Sequence, residues 1–489
     1  MGAVCRPCVR SRALAQKSVE FDDGSIKVSV GLLSGRKILS DAQVDGSQLV
    51  AGLLAQVESI IGNRIDSLIT PSGGLLDRSR TLAECGVQDG DFLTAILVRA
   101  TVFHTSSAFA AISSDGSVVT WGNPESGGDS SRVRSQLDGN VENIIATGGA
   151  FAAMKKNGTI VVWGSKLAGG DCESVRTELL DGVQSIHSNA YAFAAIKKDG
   201  SVITWGANLN GGDSSKVREE LSGGVQHIFS NEYSFAALKW DGSVVSWGAV
   251  NGYSWRWESN GPKDTKLATE LSGGVQYIVG TGSAFAARKQ AGSVVTWGNA
   301  ENGGDSSSVK ARLKRNVKHI SATESGFAAI IENGAVVTWG SAGGDSKDSE
   351  TQLRSDVVEI CSNQFAFAAL KRDGSVVTWG ASLAGGSCGE VYDQLQSGVD
   401  RIYHTSKAFA AIKTDGAVVT WGCKESGANS SRVSGQLRSG VARIFSSASA
   451  FAALKLDGSV VCWGDQAGGG DSSEVSDQLR DGVQDMFSN

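Results

Sequence analysis

Nine tryptophans, each followed by glycine, recur from residue 101 to the end of this 489-residue chain: Trp121, Trp163, Trp205, Trp247, Trp297, Trp339, Trp379, Trp421 and Trp463. Their separations are 42, 42, 42, 50, 42, 40, 42 and 42 residues. A phenylalanine stands twelve residues before each: Phe109, Phe151, Phe193, Phe235, Phe285, Phe327, Phe367, Phe409 and Phe451. Two markers that coincide in every copy define a repeat. A repeat of this period builds supersecondary units that cannot bury their own apolar faces and must stack on their neighbours. Length alone suggests three domains; the repeat replaces that reading with one long array behind an N-terminal segment.

A single unit can be read from its residues. Phe193 to Gly206 is FAAIKKDGSVITWG, two strands around Asp199-Gly200. Asp-Gly supplies the positive φ angles of a two-residue type I′ turn. That turn sets Ile196 opposite Ile203 and Ala194 opposite Trp205. These four share one face, and Phe193, Ala195, Val202 and Thr204 share the other. Both faces are largely apolar, so the hairpin is sandwiched between neighbours, as in a propeller blade or a stacked solenoid. The Gly211-Gly212-Asp213-Ser214-Ser215 loop follows. Asp213 or a serine caps a short helix whose Val217 and Leu221 form one apolar stripe. Gly223-Gly224 ends the helix, and Val225–Ser230 is a further strand leading into the next phenylalanine. Gly is abundant (63) and Pro scarce (4), as many tight turns require.

The first hundred residues have a different pattern. SIKVSVGLL (25–33) alternates as a strand, and a second strand is expected near 37–44. Leu49, Leu53, Val57 and Ile60 to Ile61 form a helical stripe that ends at Gly62. Strands near 66–70 and 92–99 complete a ββαββ order, a small sheet with one helix across it. Residues 1–18 hold several arginines and no acid, and read as a disordered leader.

Chemistry is sparse. The five histidines, 104, 187, 227, 319 and 404, are scattered among units, and His104 and His404 occupy matching positions. A core or rim role fits them better than catalysis. The eight cysteines do not recur at one place per unit, which reads as reduced thiols. Cys5-Arg-Pro-Cys8 has no second pair to complete a zinc site. No nucleophile elbow or phosphate loop appears. No catalytic residue, cofactor or metal is therefore assigned. The net charge of −6 argues against a broad phosphate-binding footprint, so no nucleic-acid partner is expected. No apolar run is long enough to span a bilayer and no signal core is present. The expected setting is intracellular, cytoplasmic or nuclear, without a membrane partner.

The one irregularity is the 50-residue interval, whose extra loop reads Asn251-Gly-Tyr-Ser-Trp-Arg-Trp-Glu258. Tyr, Trp and Arg are the residues that dominate binding hot spots. Tyr253, Trp255, Arg256 and Trp257 are accordingly the candidate partner-binding residues, against the alternative that both indoles fold back onto their own unit.

Two resemblances follow from these motifs. Residues 19–100, through SLITPSGGLLDRSRTLAECGVQDGDFLTAILVR, resemble the ubiquitin-like family, which implies a β-grasp α+β domain. The last strand runs on into Arg99-Ala100-Thr101 without a Gly-Gly tail, which implies no conjugation. Of the apolar patch by which ubiquitin is recognised, Leu97 remains while Thr70 and Ala95 replace larger residues. Residues 101–489, through Asp-Gly, Val-Val-Thr-Trp-Gly and the closing Gly-Val-x-x-Ile, resemble regulator of chromosome condensation repeats. That resemblance implies a mainly β, propeller-like array, in the family usually seven-bladed with four strands per blade. Here there are nine shorter units, each with a helix signal. A spare strand signal at Gly482–Phe487 could close the ring or cap an open array, and a closed or nearly closed propeller is favoured.

Together these imply a non-catalytic protein-binding scaffold or adaptor linked to the ubiquitin pathway, with the array recruiting a protein client. The pairing is similar to HERC-type ligases, but the repeats run to Asn489, so a ligase domain is not expected. The alternatives are a guanine-nucleotide exchange factor for a small GTPase and a purely structural array.

Overall fold

The computed structural model describes residues 25–32, 37–61, 65–71, 76–77, 80–97, 101–113, 115–249, 265–341, 345–473 and 479–480. The chain divides into two compact units, Met1–Arg99 and Ala100–Asn489.

The first unit runs β1 (Ser25–Leu32), β2 (Lys37–Asp45), α1 (Val50–Ile61), β3 (Ile65–Ile69) and β4 (Asp91–Leu97). Its sheet has the order β2-β1-β4-β3, with β1 and β4 parallel and both outer pairs antiparallel. Val28, Val30, Leu68 and Leu93 from the strands pack against Val50, Leu53, Leu54 and Val57 from the helix. The helix is therefore rotated from its expected stripe: Leu49 and Ile60 are exposed, and Val50 and Leu54 take their places. The apolar residues of α1 outnumber the buried face, and the sheet selects those spaced at three and four residues from Val50. Ala95 is buried in this core, so it forms no part of an exposed recognition patch. Leu97 ends β4, and its side chain lies outside the described residues, as do residues 1–18.

Among the described residues the second unit contains nine three-stranded antiparallel sheets, one per repeat. The third is typical: an inner strand Val183–Ser188, a middle strand Ala192–Lys197 and an outer strand Val202–Gly206. Among the described residues each sheet has three strands, one fewer than the family resemblance implies.

The hairpin register differs by one residue from the expected one. Phe193 pairs with Trp205, Ala194 with Thr204, Ala195 with Ile203 and Ile196 with Val202. The turn is longer than two residues because only Gly200 is left-handed, at φ 79°, whereas type I′ needs two such residues. Asp199 instead accepts hydrogen bonds from the Ser201 N–H (2.9 Å) and Oγ (2.6 Å), and the Lys197 N–H bonds to the Ser201 carbonyl. This is a type I turn closed by a glycine bulge. The one-residue shift moves Phe193 onto the face of Trp205, and the rings stack at 5.1 Å.

The faces follow from that register. In the third unit Phe193, Ala195, Ile203 and Trp205 form one face and pack on the second unit. Ala192, Ala194 and Ile196 form the other and receive Phe235, Ala237 and Trp247 of the fourth. Eight such clusters, each joining two consecutive units, account for the core of the array. An aromatic pair on one face meets alanines on the next because alanine leaves room for the rings at close-packed density. The expected short helix is a single 3₁₀ turn, Ser215–Val217, with Val217 and Leu221 buried as the stripe required. Asp213 accepts the Ser215 N–H at 2.9 Å in an Asx turn one residue before the N-cap. The N-cap is Ser214, whose side chain makes no cap bond, so the expected side-chain cap is not formed. Residues 474–478 and 481–489, which include the spare strand signal, lie outside the described residues.

Candidate functional site

The turn between inner and middle strands brings the units together around an axis. The residue four before each phenylalanine is Thr105, Thr147, Asn189, Asn231, Thr281, Thr323, Asn363, Thr405 or Ser447, and all but Ser447 are buried. Its side chain holds the turn and ties it to a loop 21 residues later. Asn363 Oδ1 accepts the N–H groups of Phe365 (2.9 Å) and Ala366 (2.8 Å), and its Nδ2 donates to the Ala384 carbonyl at 2.7 Å. Thr405 Oγ1 accepts the Ala408 N–H (3.0 Å) and donates to the Ser426 carbonyl (2.8 Å). The same spacing from Asn231 leads to residue 252, outside the described residues.

The next residue joins neighbouring units through the backbone. The N–H of Gly282 donates to the Glu324 carbonyl (2.9 Å), Glu324 to Gln364 (2.8 Å), Gln364 to Ser406 (3.3 Å) and Ser406 to Ala448 (2.9 Å). Ser106 to Gly148 and Gly148 to Ala190 continue the series in the first units. This ladder carries the side chains of the turn to the rim of one cavity of about 670 Å³. Its wall is built from the turns of units four to nine, together with His104 of unit one. The array thus curves about an axis, with a polar mouth at one end.

Most of the repeat is near-invariant, but the two positions after the capping residue are not. They read Ser-Ser, Gly-Gly, Ala-Tyr, Glu-Tyr, Gly-Ser, Glu-Ser, Gln-Phe, Ser-Lys and Ala-Ser. Two carboxylates meet here. A Cβ placed on Gly282 would lie 2.8 Å from Glu324 Oε2 and 3.9 Å from Glu232 Oε2, so both reach over the same glycine. Burial, and then the Glu232 charge, push the Glu324 carboxyl above its ordinary range. Tyr191 and Tyr233, at the second of these positions in units three and four, stack on each other at 5.9 Å with 12° between planes and are not among the residues that line the cavity. Farther round, Phe365 is partly exposed with the Lys407 ammonium 5.7 Å from its ring centroid. His104 and His404 sit on the cavity wall, each with Nδ1 about 3 Å from the carbonyl of the following threonine. That is the rim role their positions implied. The arrangement suits a cationic group: two carboxylates converge on the wall of one cavity, and Glu324 is partly desolvated there.

Tyr253, Trp255, Arg256 and Trp257 lie outside the described residues, so this mouth is a separate candidate. The nine marker tryptophans have structural positions. The indole N–H groups of Trp163, Trp205, Trp247, Trp339, Trp421 and Trp463 donate to the carbonyls of Gly127, Gly169, Gly211, Gly303, Gly385 and Gly427 in the preceding unit, at 2.9–3.1 Å. Sequence reasoning missed the mouth because it followed what repeats. The signal was the pair of positions that fail to repeat.

No protein-family model matches the chain, and no curated protein matches it. Among solved structures it is similar to Prp20p from Saccharomyces cerevisiae, at 16% identity and TM-score 0.32, covering 50% of this chain and 72% of that one. It is similar to human WBSCR16 at 14% identity and TM-score 0.27, covering 67% and 85%. A designed protein based on ubiquitin is similar over 16% of this chain and 94% of its own, at 18% identity and TM-score 0.14. Overlaps this small carry no argument about function. The class, a propeller-like β-repeat array, rests on the strand order and the repeated interfaces.

Proposed function

We propose that the chain is a non-catalytic protein-binding scaffold whose axial mouth takes a basic segment of a client protein. The observation that supports this most is the convergence of Glu232 and Glu324 over Gly282 on the wall of the cavity. A lysine or arginine entering there pairs with two carboxylates at once, of which Glu324 is already partly desolvated. Within this reading the N-terminal unit is a second docking module of the ubiquitin-like class, which links the client to the ubiquitin pathway.

The test is capture from cell extract on the immobilised full chain, wild type against Glu232→Gln/Glu324→Gln. The double variant removes two charges without changing shape. It should lose the proteins retained by the wild type, and the wild-type capture should weaken as salt rises. Equal retention by both forms, with unchanged melting temperature, would refute the reading.

A further inference from the structure

The eight interior interfaces share one plan, and at the two ends of the array no described residue of another repeat covers its two halves. In units two to nine the marker phenylalanine is fully buried. In unit one Phe109 is 43% exposed, Trp121 44% and Val119 55%. Val102, on the inner strand of the same sheet, is 37% exposed. Phe109 and Trp121 nevertheless stack at 5.3 Å as their counterparts do, so the pair is already in its interface geometry.

The other half lies on unit nine. Ala452 is half-buried, whereas Ala110, Ala152, Ala194, Ala236, Ala286, Ala328, Ala368 and Ala410 at the same position are fully buried. Leu479 is half-buried, while Leu137, Leu179, Leu221, Leu313, Leu395 and Leu437 are buried. The loop glycine gives the most direct comparison. A Cβ on Gly127, Gly169, Gly211, Gly303, Gly385 or Gly427 would lie 2.5–2.7 Å from the next unit's phenylalanine ring. A Cβ on Gly469, the same position in unit nine, meets nothing within 4 Å. Six interior interfaces thus have a ring seated on this glycine, and among the described residues none is seated on Gly469.

We infer that the array associates head to tail, the Phe109–Trp121 face of one copy seating on the Ala452–Gly469 face of a second copy. The occupant is another copy because the repeat itself supplies the complement: alanines for the two rings, and the Gly469 carbonyl at the position that accepts the indole N–H. Among the described residues of a single chain the two faces do not cover each other. The contact is heterologous, so copies add in one direction, and either an open filament or a larger closed ring results. This inference is independent of the axial mouth and its client.

The experiment is sedimentation of the full chain across a concentration series, with two single-ended variants. Phe109→Glu puts a charge into the aromatic half. Gly469→Asn keeps a residue that tolerates positive φ but places a Cβ where the ring must seat. Wild type should gain mass with concentration beyond a dimer. Each variant alone should stay a monomer. Their equimolar mixture should form a dimer and stop there, because each keeps the half that the other lost. That mixture also shows that both variants are folded. A wild type that remains monomeric throughout, or variants that assemble unaided, would overturn the inference.

Discussion

Gly385→Ala isolates the packing of one interior interface. Gly385 has φ 93°, and an added Cβ would lie 2.7 Å from Phe409 Cδ2 and 3.1 Å from Trp421 Cδ1. The left-handed backbone costs an L-residue about 1–2 kcal/mol. Forcing a methyl against a stacked ring pair adds about 1–3 kcal/mol. If the loop shifts to relieve the clash, the 3.1 Å bond from the Trp421 indole N–H to the Gly385 carbonyl lengthens too, and a net hydrogen bond is about 1 kcal/mol. The backbone and clash terms together come to roughly 2–5 kcal/mol, with about 1 kcal/mol more where that bond is lost, placed at the junction of units seven and eight. Gly469→Ala is the control, since it has φ 100° but nothing within 4 Å, so only the backbone cost of about 1–2 kcal/mol applies. Urea titration followed by tryptophan fluorescence, at a dilution where copies do not associate, compares the two. A repeat array is stabilised by nearest-neighbour interfaces, so Gly385→Ala should also split the transition as units eight and nine uncouple. Equal midpoints for the two variants would show that the ring does not rest on the glycine.

Thr405→Val keeps the shape of the turn cap but removes a donor and an acceptor, leaving the Ala408 N–H and the Ser426 carbonyl without their partner; a loss of about 1–3 kcal/mol is expected by denaturant titration, and a neutral result would mean that the cap does not hold the turn. His187 is driven down to about 4, first by burial and then by His227. Its neutral form is the folded one, so its contribution is complete above its ordinary value of 6.5 and falls as pH drops from there to about 4. The loss is up to roughly 3 kcal/mol, at about 1.4 kcal/mol per pH unit. His187→Gln should flatten that part of the stability–pH profile, and an unchanged profile would place the titration elsewhere.

The repeat, its strands and its two apolar faces were legible because Phe, Trp and Gly recur at fixed spacing and strand alternation has a period of two. The pairing register was not, since Asp-Gly serves both a two-residue turn and a bulged one, and the choice rests on the Asp199–Ser201 bonds. A slip of one residue exchanged the partners of Trp205. The rotation of α1 was misread for a related reason: Leu49, Val50, Leu53, Leu54, Val57 and Ile60 are all apolar, and only the sheet decides which stay buried. The axial mouth was illegible for a different reason. Glu232 and Glu324 are 92 residues apart in the chain, and only the backbone ladder brings them over one glycine.

That ladder has a further consequence for how such a chain lengthens. Each link runs from the amide of one unit to the carbonyl of the next, in the same rotational sense. Deleting or inserting a whole 42-residue module in frame leaves every remaining link with a donor and an acceptor of the right kind. Copy number is therefore free to drift in a lineage one module at a time, without any intermediate that lacks a partner inside the array. What such drift changes is the set of side chains presented at the mouth, so gain or loss of a module alters recognition while leaving the architecture intact.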